Sequence, residues 1–194
     1  MLICAEPRPN PRAFQIEAHQ LLAPSVCDEL LAEFEGRVWA RAGAHRDHNP
    51  ELDYTVGRVA AQAELSTERQ AQVYPQILSI IGDLNDVVYG FQITGIPEWD
   101  RPMVFQYSAR DEGRHGWHTD CGPPAATRKL SFTVQLSPPG SYEGGALEFL
   151  GGSQGPRDQG TIVVFPSFAA HQVLPVTQGT RFALVGWIHG PTFS

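Results

Sequence analysis

The sequence predicts an α+β protein with helices packed on a mainly β core. Three observations carry that expectation. Helical periodicity is confined to the chain before Gly90. Short β-rich runs separated by Gly and Pro turns then continue to the end. Gly 19 and Pro 16 among 194 residues call for many turns rather than a helical bundle. The chain reads as one unit, residues 1–194, with helical support over about 1–90 and a β core over about 91–194, long enough to bury a core without staples.

The first dozen residues, with three prolines, read as an extended arm. Ser25 with Asp28 three positions on resembles a capping box after Pro24, and Leu30, Leu31 and Phe34 give the helix its apolar stripe up to Gly36. A short strand is expected near Val38–Arg41, then a polar loop over Ala42–Gly57. A second helical region starts near Ser66. Val73, Ile77, Ile80, Ile81, Leu84, Val87 and Val88 recur at helical spacing, and Pro75 either opens the main helix or kinks a longer one. Strands are expected at FQIT (91–94), MVFQYS (103–108), KLSFTVQL (129–136), ALEFL (146–150), TIVVF (161–165), HQVLPV (171–176) and RFALVGWI (181–188).

Strand 129–136 is the clearest of these. Leu130, Phe132, Val134 and Leu136 make one apolar face, which suits packing under helices. Ser131, Thr133 and Gln135 make a polar face, which in a barrel lines the cavity. In the last strand Arg181, Ala183, Val185 and Trp187 share one face, with Phe182, Leu184 and Ile188 on the other. If Arg181 points inward, so does Trp187. Gly144 and Gly145 read as backbone geometry where a strand begins, and 151–156 as a hairpin connection rather than a phosphate loop.

A net charge of −7 argues against a polyanion-wrapping protein. Cys4, Cys27 and Cys121 form neither a disulfide framework nor a zinc knuckle, so reduced thiols in the cytoplasm are expected. No signal peptide is read at the N-terminus, and no apolar run approaches a membrane span.

The chemistry is concentrated in His118-Thr-Asp120 … His171, with Arg181 ten residues further on. Two imidazoles and a carboxylate are the protein half of a facial iron(II) site that leaves three coordination positions free. Residues two apart on a strand project to one side, so His118 and Asp120 can meet one ion. His171 follows a strong β run and is expected at a strand end facing that pair. Neutral imidazoles, one carboxylate and iron(II) carry a net charge of +1, which invites an anionic bidentate ligand. An inward arginine cannot stay unpaired, and its planar fork matches a carboxylate. Tyr107 and Thr133 can add neutral hydrogen bonds beside it.

WHTD, RKLSFTVQLSPPGSYEGGALEF and VVFPSFAAHQVLPVTQGTRFALVGWIHGP resemble the prolyl 4-hydroxylase-like 2-oxoglutarate/iron(II) oxygenases, above all the bacterial and phage branch with the PKHD-type hydroxylases. The resemblance covers about Val104 to Phe193. It implies a double-stranded β-helix (jelly-roll, cupin-like), with His118, Asp120 and His171 as iron ligands and Arg181 pairing with the distal carboxylate of 2-oxoglutarate. Tyr107 falls near a tyrosine that hydrogen-bonds the same cosubstrate, and Gln135 stands where relatives carry a tyrosine or another wall residue. His115, three before the first ligand, replaces a frequent aromatic and reads as a loop histidine. His45, His48 and His189 read as non-ligands.

The resemblance implies a dioxygenase using iron(II), 2-oxoglutarate and O2, with ascorbate as a stimulant, that hydroxylates a substrate and releases succinate and CO2. The substrate is expected to be a peptide or protein residue such as proline, or a free amino acid or small metabolite. The loop 42–57 and the segment Ser108–Trp117 are its expected rim, where Asp111 and Glu112 would favour a cationic or neutral partner. Nucleic-acid demethylation on the same fold is the alternative. Demethylases of the AlkB type carry a second arginine six residues after the first, where this chain has Trp187, and the chain is acidic. A cupin-like sensor without catalysis is a third reading, disfavoured by the intact triad and Arg181.

Overall fold

The computed structural model describes residues 11–42, 57–123 and 125–193. Cys4, His45, His48, most of the first dozen residues and the interior of the 42–57 loop therefore lie outside the described residues.

Among the described residues, twelve strands and two main helices follow in order. The N-terminal part holds β1 (Glu17–Gln20), α1 (Pro24–Ala32), β2 (Ala40–Arg41), β3 (Arg58–Val59), β4 (Ala61–Ala63) and α2 (Thr67–Leu84). Next come β5 (Met103–Ser108), β6 (Arg114–His118), β7 (Arg128–Gln135), β8 (Tyr142–Gly144) and β9 (Leu147–Phe149). Strands β10 (Thr161–Pro166), β11 (His171–Val173) and β12 (Val176–His189) complete the chain. The larger sheet runs β1-β10-β7-β12-β5-β4-β2, with β8 also paired to β12, and the smaller runs β3-β6-β11-β9. This is the double-stranded β-helix. The N-terminal part supplies sheet strands as well as helices: β1 pairs with β10, β4 with β5 and β3 with β6.

The alternating faces decide how the layers stack. Leu130, Phe132, Val134, Leu184 and Ile188 of the larger sheet pack with Leu30, Val73, Ile77 and Ile81 of the helices in one core. Each such fully buried aliphatic side chain contributes about 1.5–3 kcal/mol. Phe105, Tyr107, Leu147, Val163, Phe165 and Val173 form a second core between the sheets, and the functional side chains project into that space.

Several local expectations are corrected. Helix α1 is capped by Ala23 without a side-chain hydrogen bond and has Pro24 at its start, so Ser25 and Asp28 form no capping box. Proline, with φ already fixed and no N–H to satisfy, opens the helix unaided. In α2, Ser66 is the N-cap, accepting from the Arg69 N–H, and Pro75 lies inside the helix. The helix widens to a π turn over Asn85–Tyr89 before Gly90, at φ 68°. That wider turn brings Val88 and Tyr89 inward and leaves Val87 71% exposed. Residues 91–94 form no strand: the Asn85 side chain bonds the Phe91 backbone in both directions, and only Gly95 bridges to His189. The short strand near Val38–Arg41 is confined to Ala40–Arg41, with Val38 exposed. Among the described residues, no helix is long and apolar enough to cross a membrane.

Candidate metal centre

Strands β6 and β11 are antiparallel neighbours, and His118 and His171 are direct partners across them. That pairing brings two residues 53 positions apart in sequence face to face, with ring centroids 4.1 Å apart. Asp120 does not share the strand of His118, as its spacing suggested, because β6 ends at His118. The chain instead bends, and the Asp120 N–H donates to the Ser167 carbonyl at 2.8 Å, which returns the carboxylate to the same point. Asp120 Oδ1 lies 3.6 Å from His118 Nε2, and Oδ2 3.5 Å from His171 Nε2. One donor atom from each residue lies within 4.8 Å of the others, a span one ion can bridge.

The surroundings orient all three donors. His118 Nδ1 is 2.8 Å from the Gly116 carbonyl and His171 Nδ1 2.9 Å from the Ala169 carbonyl. A carbonyl only accepts, so each Nδ1 carries the proton and each Nε2 offers a lone pair to the shared point. Ser131 Oγ donates to Asp120 Oδ2 at 2.7 Å and lies 3.0 Å from Ser167 Oγ. Burial, helped by His171, pushes the His118 pKa down to about 4. Burial would raise that of Asp120, but His171, His118 and the Ser131 hydroxyl outweigh it and hold the carboxyl at about 2. The donor set is thus a neutral imidazole at His118 and a carboxylate at Asp120 near neutral pH, which fits a divalent metal.

Arg181 points inward and is 5% exposed. It stands opposite Tyr107 in the β12–β5 pairing, its guanidinium carbon 5.6 Å from the Tyr107 ring centroid. Its Nε donates to Gln135 Oε1 at 3.0 Å, and Gln135 Nε2 donates to the Ser137 carbonyl. Among the described residues no carboxylate pairs with it. Burial raises the Tyr107 pKa, so its phenol stays neutral. A cavity of about 460 Å³, counted with its open mouth, joins His118, Asp120 and His171 to Thr133, Tyr107 and Arg181. Gln135 lines a smaller cavity behind Arg181 instead. The main-chain turn under Arg181 depends on Gly145 at φ 61°, where a Cβ would stand 3.2 Å from Arg181 Cδ.

Trp187 lies on the same inward face and walls the metal end of the cavity. The Arg128 guanidinium covers its ring at 3.5 Å. Arg128 is held at 2.8 and 2.9 Å by both oxygens of Asp100, whose Oδ2 also accepts from His189 Nε2 at 2.9 Å. His189 thus belongs to a separate buried network. His115 is not a loop histidine. It lies on β6, 8% exposed, and its ring stacks on that of His118 at 3.5 Å, because pairing of β3 with β6 turns this segment into a strand. Asp111 and Glu112 are exposed, and Glu112 pairs with Arg114. Sequence reasoning missed Arg58, which lines the cavity, and the Asp100–Arg128–His189 network.

The profile of the 2OG-Fe(II) oxygenase superfamily matches residues 102–189. A PKHD-type hydroxylase of Hyphomonas neptunium is 38% identical over 187 residues, covering 89% of this chain and 77% of that protein. A PKHD-type hydroxylase of Alteromonas mediterranea is 28% identical over 178 residues, covering 84% and 76%. Among solved structures, a Pseudomonas putida prolyl-4-hydroxylase superposes with a TM-score of 0.69 at 18% identity, over 92% of this chain and 94% of that one. A Trichoplax adhaerens prolyl hydroxylase, in complex with a hypoxia inducible factor oxygen degradation domain peptide, gives 0.71 at 18% identity, over 93% and 85%.

Proposed function

Because the chain belongs to the 2-oxoglutarate/iron(II) oxygenases of the PKHD hydroxylase type, it is a dioxygenase, and we propose that it hydroxylates an amino-acid substrate at a centre built on His118, Asp120 and His171. The family implies iron(II) and 2-oxoglutarate. Bound together with O2, they supply the oxidant that converts a substrate C–H to C–OH while the cosubstrate leaves as succinate and CO2.

The chain's own residues divide the remaining work. Two Nε2 lone pairs and the Asp120 carboxylate would hold the metal, beside the cavity that the three residues line. Arg181 receives the distal carboxylate of 2-oxoglutarate, with the neutral Tyr107 phenol and Thr133 hydroxyl beside it, and Gln135 fixes the guanidinium plane by holding Nε. Phe165, Leu147 and Val173 wall the chamber and exclude water from it. The observation that carries this reading is the convergence of three oriented donors in one cavity with a buried guanidinium that lacks a carboxylate partner among the described residues. Proline, within a peptide or as the free amino acid, is the first candidate substrate, since the structural neighbours include prolyl hydroxylases. The whole chain acts as one catalytic unit, because N-terminal strands complete both sheets.

The test is succinate formation from 2-oxoglutarate with iron(II), with ascorbate tried as a stimulant, in the wild type and in Asp120→Ala. The expected result is turnover in the first and none in the second, accompanied by loss of one bound metal per chain. Equal turnover in both would remove Asp120 from the centre.

A further inference from the structure

Arg58 is the second guanidinium that lines the metal chamber, beside Arg181. It stands on β3 opposite His115 of β6 and lines the same cavity as the His118–Asp120–His171 cluster. Its Nε lies 3.3 Å from each ring nitrogen of His115, and its Cζ is 5.2 Å from the Phe105 ring centroid. Among the described residues, no carboxylate pairs with Arg58 and neither of its Nη groups has a hydrogen bond.

Charge in the chamber shows what is missing. A divalent metal and Arg181 (+3) would be balanced in full by Asp120 and the two carboxylates of 2-oxoglutarate (−3), which leaves one further positive charge in the chamber unmatched. Arg58 carries that charge, on a planar fork with two donor groups unspent. Such a group, partly withdrawn from water, calls for an anion of matching shape.

We propose that Arg58 is a carboxylate-binding subsite for the primary substrate, so that the enzyme acts on a small molecule bearing a free carboxylate, an α-amino acid in the simplest case. The proposal rests on the metal and cosubstrate reading given above. The His115 ring links Arg58 to the ligand His118, touching the first and stacking on the second. A carboxylate held by Arg58 and a C–H presented to the metal are therefore a few bonds apart, the reach of one amino acid. The Phe105 ring beside the guanidinium supplies an apolar wall for the carbon next to that carboxylate.

The test uses the zinc-loaded protein with 2-oxoglutarate bound, and ligand-observed NMR of the twenty protein amino acids against their α-amides. At least one acid is expected to bind at least tenfold tighter than its amide. Arg58→Met should abolish that preference and leave 2-oxoglutarate affinity within about twofold, while Arg58→Lys should keep part of it. Acids binding no better than amides, or no acid binding, overturns the proposal. So does an equal loss of 2-oxoglutarate affinity in Arg58→Met, which would assign Arg58 to the cosubstrate. Failure of the wild-type protein to bind 2-oxoglutarate would sink the underlying reading itself, and this inference with it.

Discussion

Ser131 Oγ donates a 2.7 Å hydrogen bond to Asp120 Oδ2 from the inward face of β7, the strand whose other face builds the helix-side core. The carboxylate follows a bend rather than lying on a strand, so this hydroxyl and the Ser167 carbonyl fix its direction. Removing a group that orients a metal ligand costs metal affinity more than it costs the fold. Ser131→Ala is expected to weaken divalent-metal binding about 10–100-fold by calorimetry while thermal unfolding of the metal-free protein changes little. Unchanged affinity would mean that Asp120 is held without Ser131.

Arg181 and its support should separate in size. Arg181→Met removes a charge-assisted pair and is expected to raise the 2-oxoglutarate requirement at least tenfold. Gln135→Leu removes only the uncharged acceptor for Nε, which orients the guanidinium without touching the cosubstrate, and should cost roughly fivefold, about 1 kcal/mol. Titration of metal-loaded variants with 2-oxoglutarate checks both, and a Gln135→Leu effect as large as that of Arg181→Met would assign Gln135 a direct role.

The buried imidazoles give stability a definite pH dependence. Burial holds the His118 pKa down to about 4 and that of His115 down to about 2 in the folded chain, against about 6.5 for a free histidine. Between those values the unfolded chain binds protons that the folded chain does not, so stability of the metal-free protein is full above pH 6.5 and falls as pH drops toward 4. Denaturant unfolding at pH 7.5, 6 and 5 should show a steady decline, shallower in His115→Phe. A flat profile would contradict the burial of both rings as neutral groups.

The legible and illegible parts of this fold differ in range. Strands β7 and β12 were readable because each alternates one apolar and one polar face, and Arg181 could be placed inward from that period alone. The π turn that ejects Val87 and the bend that carries Asp120 depend on contacts made elsewhere in the chain, with the helix-side core and with Ser167. His115 was misread because its segment, with a glycine on each side, becomes a strand only by pairing with β3, which is two residues long. Arg58 carried no local signal at all. Its flanking sequence alternates no faces, and only the fold brings it to the cavity of the His118–Asp120–His171 cluster.

Asp100 is the centre of a charged network that no periodicity announces. Asp100→Ala would leave the buried Arg128 without its bidentate partner and His189 without its acceptor. A loss of about 3–5 kcal/mol is expected, read by denaturant unfolding. A loss below 1 kcal/mol would show that Arg128 swings to solvent.

Gly145 tests the link between backbone and cosubstrate site. At φ 61° an alanine is strained by about 1–2 kcal/mol, and its Cβ would also press on Val176 at 2.8 Å and on Arg181. Gly145→Ala should therefore lower both stability and 2-oxoglutarate affinity, measured in parallel, whereas a stability loss alone would detach this turn from the guanidinium.

The most direct measurement is anomalous diffraction from crystals soaked with manganese(II) and an inert 2-oxoglutarate mimic. The expected map has one strong peak bonded to Nε2 of His118, Nε2 of His171 and an oxygen of Asp120, with the mimic's distal carboxylate on Arg181. A peak bonded to other residues, or a mimic that leaves Arg181 untouched, would contradict it.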